Sequence, residues 1–188
     1  KNVKKFIYSG TSSAYGLANT SPLKEDMPRD CLNPYSVTKT AAEDLVRMYF
    51  TLWGLKTISF RYFNVYGERQ PKSGQYAPVI GIFLRQLKDG EALSIVGDGS
   101  QSRDFVHVQD VVNANILAME TENEESFGEV FNIGSGSNIS VLDIAKLISE
   151  NYKFLPPRLG EAQHTLADIS KAKEILKFEP NGNVVDWI

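Results

Sequence analysis

The sequence is poor in the side chains that build disulfides and metal centres. It has one cysteine, Cys31, and two histidines, His107 and His164, in 188 residues. A single thiol forms no internal disulfide, so a reducing compartment is expected and a cytoplasmic location with it. Three such side chains are too few for a His/Cys metal site, the carboxylates show no clustered ligand pattern, and no metal is predicted. An excess of positive charge is also missing. With 20 Lys and Arg against 23 Asp and Glu, the net charge of −3 argues against a nucleic acid partner. No apolar run approaches the ~20 residues of a membrane-spanning helix, so no membrane partner is predicted. The opening Lys1-Asn2-Val3-Lys4-Lys5 is too short and too polar for a signal peptide. Repeats and low-complexity segments are absent as well. What remains is 42% hydrophobic and 23% charged, the composition of a globular protein long enough for one domain with a sizeable core.

The strongest local pattern begins at Asn33-Pro34-Tyr35-Ser36-Val37-Thr38-Lys39. Asn33 is a good N-cap, and Pro34 fits a first helical turn, where a missing N–H costs nothing. Ala41, Ala42, Leu45, Val46, Tyr49 and Phe50 recur at helical spacing and predict a helix over residues 35–52, stopped by Gly54. Tyr35 and Lys39 then lie one turn apart on one face. A phenol, with an unperturbed pKa near ~10, is a poor base at neutral pH. A fixed ammonium one turn away favours the phenolate, which makes the pair a route to general acid/base catalysis. Chance also places this pair on many helices.

The other elements follow by punctuation. Residues 5–9 read as a short apolar strand running into a Gly/Thr/Ser loop, residues 17–32 as a surface loop with Pro22 and Pro28, and residues 56–62 as the next strand. Strand, crossover helix and strand make a right-handed βαβ unit. Further on, helices are expected at about 78–88, 109–119, 140–151 and 169–176, and strands at 93–96, 105–108 and 130–134. Gly97-Asp98-Gly99 is a tight-turn signal, the acidic run 120–125 a solvated loop, and 184–188 the start of another helix. A dinucleotide-binding chain carries a glycine-rich turn after its first strand, with an acidic residue ~20 positions on. Only Gly134-Ser135-Gly136 comes near. It lacks the third glycine, lies late, and reads better as a turn between a strand and a helix.

Three stretches in order, Tyr8-Ser9-Gly10-Thr11-Ser12-Ser13-Ala14-Tyr15-Gly16, the Tyr35/Lys39 segment, and Arg61-Tyr62-Phe63-Asn64-Val65-Tyr66-Gly67, resemble the extended short-chain dehydrogenase/reductase family. Within it they are similar to the NAD-dependent epimerase/dehydratases of nucleotide sugars, and the likeness runs from Phe6 to Trp187. It implies an α/β fold: the C-terminal part of a Rossmann-like parallel sheet, its N-terminal strands missing, plus a small α+β substrate-binding domain. Residues 1–67 would belong to the first and 68–188 mostly to the second, with 105–134 returning in part to the main sheet. The chain is accordingly expected to be a fragment lacking the NAD fingerprint, inactive alone and a weak binder of NAD.

The resemblance also implies roles. Thr11 matches the catalytic Ser/Thr that hydrogen-bonds the sugar 4-hydroxyl beside Tyr35 and Lys39. The cofactor NAD would contact Ser9, Gly10, Tyr35, Lys39, Tyr62 and Phe63. Ser12 and Ser13 face the sugar, and Asn64 the substrate diphosphate. Arg103 and Arg158 match diphosphate-binding arginines, whose guanidinium forks suit phosphate oxygens. Glu161 matches a ribose-binding acid, Val79 and Val96 a uracil pocket, and Thr165 the wall facing the sugar 2-substituent, where a small residue leaves room for an N-acetyl group.

Dehydratases of the family carry Asp-Glu at the positions of Ser12 and Ser13, because elimination needs an additional acid and base. Serines there favour C4 epimerisation of UDP-glucose and UDP-galactose, possible also on their N-acetyl forms. A 4-ketoreductase, a C5 epimerase, a dehydratase and a non-catalytic nucleotide-sugar-binding module stay open as alternatives. A homodimer through the 35–52 helix is the implied partner besides the UDP-sugar.

Overall fold

The computed structural model describes residues 3–74, 77–158, 160 and 162–188. Strand β1 (Lys5–Thr11) passes through a 3-10 turn at Ser12–Tyr15 and a loop into helix α1 (Pro34–Trp53), which returns the chain to β2 (Lys56–Tyr62). β1 and β2 pair in parallel, from Lys5 opposite Lys56 to Thr11 opposite Tyr62. The ends of α1 are where its punctuation puts them. The Asn33 side chain accepts the Ser36 N–H at 2.9 Å, Ser36 closes a capping box, and Pro34 opens the first turn. Gly54 ends the helix in the left-handed region at φ 65°, donating its N–H to the Phe50 carbonyl at 2.9 Å.

Beyond β2 come β3 (Asn64–Tyr66), α2 (Val79–Lys88), β4 (Leu93–Val96), β5 (Ser102–Arg103), β6 (Phe105–His107) and α3 (Val108–Glu120). The chain continues with β7 (Glu129–Ile133), β8 (Ile139–Ser140), α4 (Val141–Ile148), β9 (Tyr152–Leu155), α5 (Ser170–Leu176) and α6 (Val184–Trp187). β7 joins the free side of β2 in parallel, giving a sheet in the order β1-β2-β7. β3 pairs with β6 and β4 with β9, both parallel, while β5 and β8 pair antiparallel.

Two cores result. Ile58, Phe60, Phe131 and Ile133 of the main sheet pack with Ala114, Ala118, Ala172 and Leu176 of the helices on it. Ile80, Phe83, Leu93, Ile95, Ile144 and Ala145 form the second, where α2 and α4 cover β4. β6 belongs to both, because strand alternation sends Val106 to the first core and Phe105 to the second.

Three expectations change. The helix predicted over 140–151 is capped by Ser140 as expected but stops at Ile148, where Ser149 is extended. The four residues Tyr152–Leu155 are instead a strand, because β4 offers a partner that their own brief pattern does not reveal. The acidic run is not all loop: Glu124–Ser126 form a 3-10 turn, and Lys56 reaches Glu122 and Glu124 at 3.0 and 3.1 Å.

Candidate active site

The sheet register places the site. Thr11, Tyr62 and Ile133 are level across β1, β2 and β7, so Ser12 and Ser13, Phe63 and Asn64, and Gly134 and Ser135 all leave the sheet at one edge. These are carboxyl ends of parallel strands, where open α/β sheets bind ligands. α1 is pinned beside them. The Lys39 ammonium donates to the Ser9 carbonyl at 2.9 Å, and the Tyr8 hydroxyl donates to the Lys39 carbonyl at 3.1 Å. Tyr35, one turn earlier, stays 45% exposed at this edge. Thr11 caps the 3-10 turn, accepting the Ser13 N–H and donating its own hydrogen to Ser13 Oγ, each at 3.1 Å.

Two clefts open from this edge and share Asn64 and Arg103. The first is lined by Ser12, Ser13, Tyr15 and Thr165 around that pair, the second by Val79, Val96, Phe83 and Arg158. Their volumes, about 260 and 290 Å³, each fall below the ~300–1000 Å³ of a small-molecule site, and only the two joined reach it. Five predicted substrate residues thus meet in the first cleft and five in the second, Asn64 and Arg103 counting in both. Both the Asn64 N–H and its side-chain amide donate to the Asp104 carbonyl, at 3.1 and 2.9 Å, which leaves one amide hydrogen to offer a ligand. Glu161 lies outside the described residues.

The residues expected against the cofactor are less uniform. Ser9 is exposed, and the Tyr62 hydroxyl accepts from Asn115 Nδ2 at 2.9 Å while keeping part of its surface. Phe63 instead packs inward with Tyr15, Leu23, Ala167 and Ile169. Gly10 is explained by the sheet itself, since a Cβ there would lie 2.5 Å from the Phe60 carbonyl oxygen.

Asp104 is the residue that sequence reasoning missed. Fully buried, it accepts hydrogen bonds from Ser135 N–H at 2.7 Å, Ser135 Oγ at 2.8 Å, Ala167 N–H at 3.0 Å and Gly136 N–H at 3.2 Å. Burial pushes its carboxyl above the usual range, and these donors pull it back. The carboxylate thereby ties the turn after β7 to the segment carrying Thr165, while its own carbonyl holds Asn64. A charged residue directly after Arg103 in a strand-like stretch was the available signal. Gly134 must be glycine here, because a Cβ would sit 2.7 Å from Asp104 Oδ2 and 2.6 Å from the Ala167 methyl. Gly134→Ala is expected to cost about 1–3 kcal/mol in overpacking, read as a lower midpoint in urea denaturation.

The same nest tests the fit of a dinucleotide. The N–H groups of Ser135 and Gly136 are already spent on Asp104, so this glycine turn has none to offer a pyrophosphate. Ser9, Lys39 and Tyr62, expected at the nicotinamide end of NAD, lie together at the carboxyl ends of β1 and β2. Tyr15 lines the first cleft as a neutral phenol: burial pushes its pKa up to about 12, and its hydroxyl donates to Asn132 at 2.7 Å, so it does not rival Tyr35 as a base. Among the described residues no group of three His, Cys, Asp or Glu side chains could hold a metal ion, and no helix is long and apolar enough to cross a membrane.

Comparisons with known proteins show the family. Residues 1–134 match the profile of the NAD dependent epimerase/dehydratase family. All of the chain aligns at 35% identity with a putative UDP-glucose 4-epimerase of Methanocaldococcus jannaschii, covering 64% of that protein. The structure of UDP-glucose 4-epimerase from Thermotoga maritima with UDP-glucose superposes with a TM-score of 0.90 at 38% identity, over 99% of this chain and 61% of that one. UDP-glucuronic acid 4-epimerase from Bacillus cereus, in complex with UDP-glucuronic acid and NAD, gives a TM-score of 0.90 at 34% identity, over 100% of this chain and 60% of that one. The chain therefore spans about 60% of the length of these relatives. It belongs to the NAD-dependent epimerase/dehydratase family.

Proposed function

We propose that the full-length protein interconverts UDP-glucose and UDP-galactose at C4, and accepts their N-acetyl forms, in the cytoplasm. The observation that carries this reading is the position of Tyr35 and Lys39 at the carboxyl edge of β1, beside two clefts that share Asn64 and Arg103. The shared pair suits a diphosphate, with the sugar in the first cleft and the nucleoside in the second. Tyr35 takes the proton of the 4-hydroxyl, Thr11 donates to the hydroxyl of Ser13 on the wall of the first cleft, and Lys39 holds the cofactor ribose. Bound NAD supplies acceptance and return of the C4 hydride. The 4-keto sugar turns about its diphosphate anchor between those two events. With serines at 12 and 13, the wall has no carboxyl group for elimination.

Thr165 lines the first cleft, and its buried Oγ1 has no hydrogen-bond partner among the described residues. A residue this small leaves room for a 2-N-acetyl group. The test is to incubate the full-length protein with UDP-galactose and, separately, UDP-N-acetylgalactosamine, and quantify the 4-epimers. Both should be converted; conversion of UDP-galactose alone removes the N-acetyl claim, and conversion of neither overturns the reading. The 188 residues expressed alone are expected to be inactive, and turnover by them without added protein counts against that.

The same reading pairs two copies through α1. Leu45, Tyr49 and Leu52 form an apolar stripe on its outer face, and Leu45 and Leu52 are 55% and 62% exposed. Leu45→Glu with Leu52→Glu is expected to turn a dimer into a monomer by sedimentation, with the melting curve of the monomer otherwise cooperative. A monomeric parent protein removes the dimer claim.

A further inference from the structure

Asn33 spends all but one of its polar groups on the start of α1. Its Oδ1 accepts the Ser36 N–H at 2.9 Å, and its own N–H donates to Ser36 Oγ at 3.4 Å. Its carbonyl accepts Ser36 Oγ at 2.9 Å and the Val37 N–H at 3.1 Å. A backbone N–H only donates, so the contact with Ser36 fixes which end of the amide is oxygen. Nδ2 is the group that remains. Asn33 is exposed, and among the described residues nothing accepts from that nitrogen.

A helix cap needs no amide. Serine and aspartate supply the accepting oxygen as well as asparagine does, so the NH2 group is surplus to α1. Asn33 also lines the first cleft, with Ser12, Ser13 and Thr165. Leu17, Leu23 and Leu32 line the same cleft with carbon alone, and the Thr11 hydroxyl beside it is turned to Ser13. Few groups there can answer a hydroxylated ligand. The only polar group that Asn33 has left to present is a donor.

We propose that Asn33 binds the sugar as well as capping α1, its Nδ2 donating to a hydroxyl oxygen on a carbon that flanks C4. The inference rests on the nucleotide-sugar reading, which puts the sugar in the first cleft with its 4-hydroxyl at Tyr35. Asn33 stands two residues before Tyr35, so their Cα atoms are at most about 7 Å apart. The sugar groups within its reach are therefore neighbours of the reacting one, the 3-hydroxyl and the 6-hydroxyl. A sugar held by the cap of α1 is registered against the base on the first turn of the same helix, and a short stretch of rigid backbone sets the approach of the two.

The experiment is calorimetric titration of the full-length protein with UDP-galactose and with UDP, beside thermal melting. Asn33→Asp keeps the size of the side chain and the capping oxygen and removes the donor. Asn33→Ser keeps a capping oxygen, adds no charge and is too short to reach the sugar. Both should melt as the parent does. Asn33→Ser is expected to weaken UDP-galactose about three- to tenfold and to leave UDP within about twofold, and Asn33→Asp to weaken UDP-galactose at least as much. Asn33→Ala should lose the same affinity and also melt lower, because the cap goes with the donor. UDP-6-deoxygalactose names the hydroxyl: a loss that persists with it assigns the 3-hydroxyl, and a loss that vanishes assigns the 6-hydroxyl. Unchanged UDP-galactose affinity in Asn33→Ser, or an equal loss for UDP in that variant, overturns the inference and leaves the nucleotide-sugar reading intact. A parent protein that binds neither UDP nor UDP-galactose overturns both.

Discussion

Replacing Tyr35 with phenylalanine is expected to lower kcat for UDP-galactose epimerisation by about 10²–10⁴-fold, the usual worth of a positioned acid/base group. The change removes one oxygen and keeps the ring. Tyr35 is half exposed on the first turn of α1, whose start is secured by Asn33, Ser36 and Pro34 instead, so the fold should be unaffected. In the proposed reading the UDP-sugar is held by Asn64, Arg103 and the second cleft, so its Kd should stay within about threefold, well inside one lost hydrogen bond. This split separates the catalytic reading from the binding module that the sequence left open. A chemical role predicts a large fall in kcat with unchanged binding, measured as 4-epimer formed per minute beside calorimetric titration of the UDP-sugar. A kcat within tenfold of the parent would remove Tyr35 from the chemistry. Lys39→Met should follow the same direction but also loosen the edge of β1, because the ammonium holds the Ser9 carbonyl. Its thermal midpoint is therefore expected to fall where that of Tyr35→Phe does not.

How much of this was legible in the sequence depended on how local the cause was. α1 announced itself at both ends, through Asn33 and Pro34 at the start and a left-handed Gly54 at the stop, because caps are decided within a turn of the helix. The strands at 56–62 and 93–96 were equally plain, the first alternating Ile58, Phe60 and Tyr62 with polar residues and the second a short run with Leu93, Ile95 and Val96. β3, β5, β8 and β9 were not. They are two to four residues long, and what makes them strands is a partner tens of residues away, as Ser102 finds Ser140 and Tyr152 finds Leu93. Phe63 shows the opposite failure. An aromatic at a strand end reads the same whether it faces a cofactor or a core, and its ring packs with Tyr15 and Leu23. The polar framework was hidden most completely. That Asp104 gathers Ser135, Gly136 and Ala167, or that the buried Gln86 hydrogen-bonds Ser94 across from α2, follows from arrangement in space, which residue order does not encode.

The largest stability loss is expected from Glu43→Gln. Glu43 on α1 and Arg61 on β2 are each 3% exposed and face each other between helix and sheet, with two hydrogen bonds of 3.1 and 2.8 Å. Arg29 adds a third at 2.8 Å to the same carboxylate. Burial disfavours the charged guanidinium of Arg61, yet the Glu43 carboxylate, with Tyr15 beside it, holds it more basic than an ordinary arginine, and the Tyr15 ring lies 4.8 Å from it. Taking away the carboxylate charge leaves that cation buried without a counterion, which costs about 3–5 kcal/mol. Against a typical stability of ~5–15 kcal/mol, this is a large share of the whole. Arg61→Met should cost less, because Arg29 still neutralises Glu43 from the half-exposed side. The double variant Glu43→Gln with Arg61→Met should lose less than the sum of the single changes, since it leaves neither charge stranded. Urea midpoints of the parent and three variants supply the cycle. Additive losses would mean that the two side chains act independently, and that the contact between α1 and β2 is held by its apolar neighbours. Coupling would also carry to the site, because Arg61 lies against Tyr15, which lines the first cleft and donates to Asn132 on β7. The ion pair then holds the helix bearing Tyr35 and Lys39 at a fixed height above the strand ends.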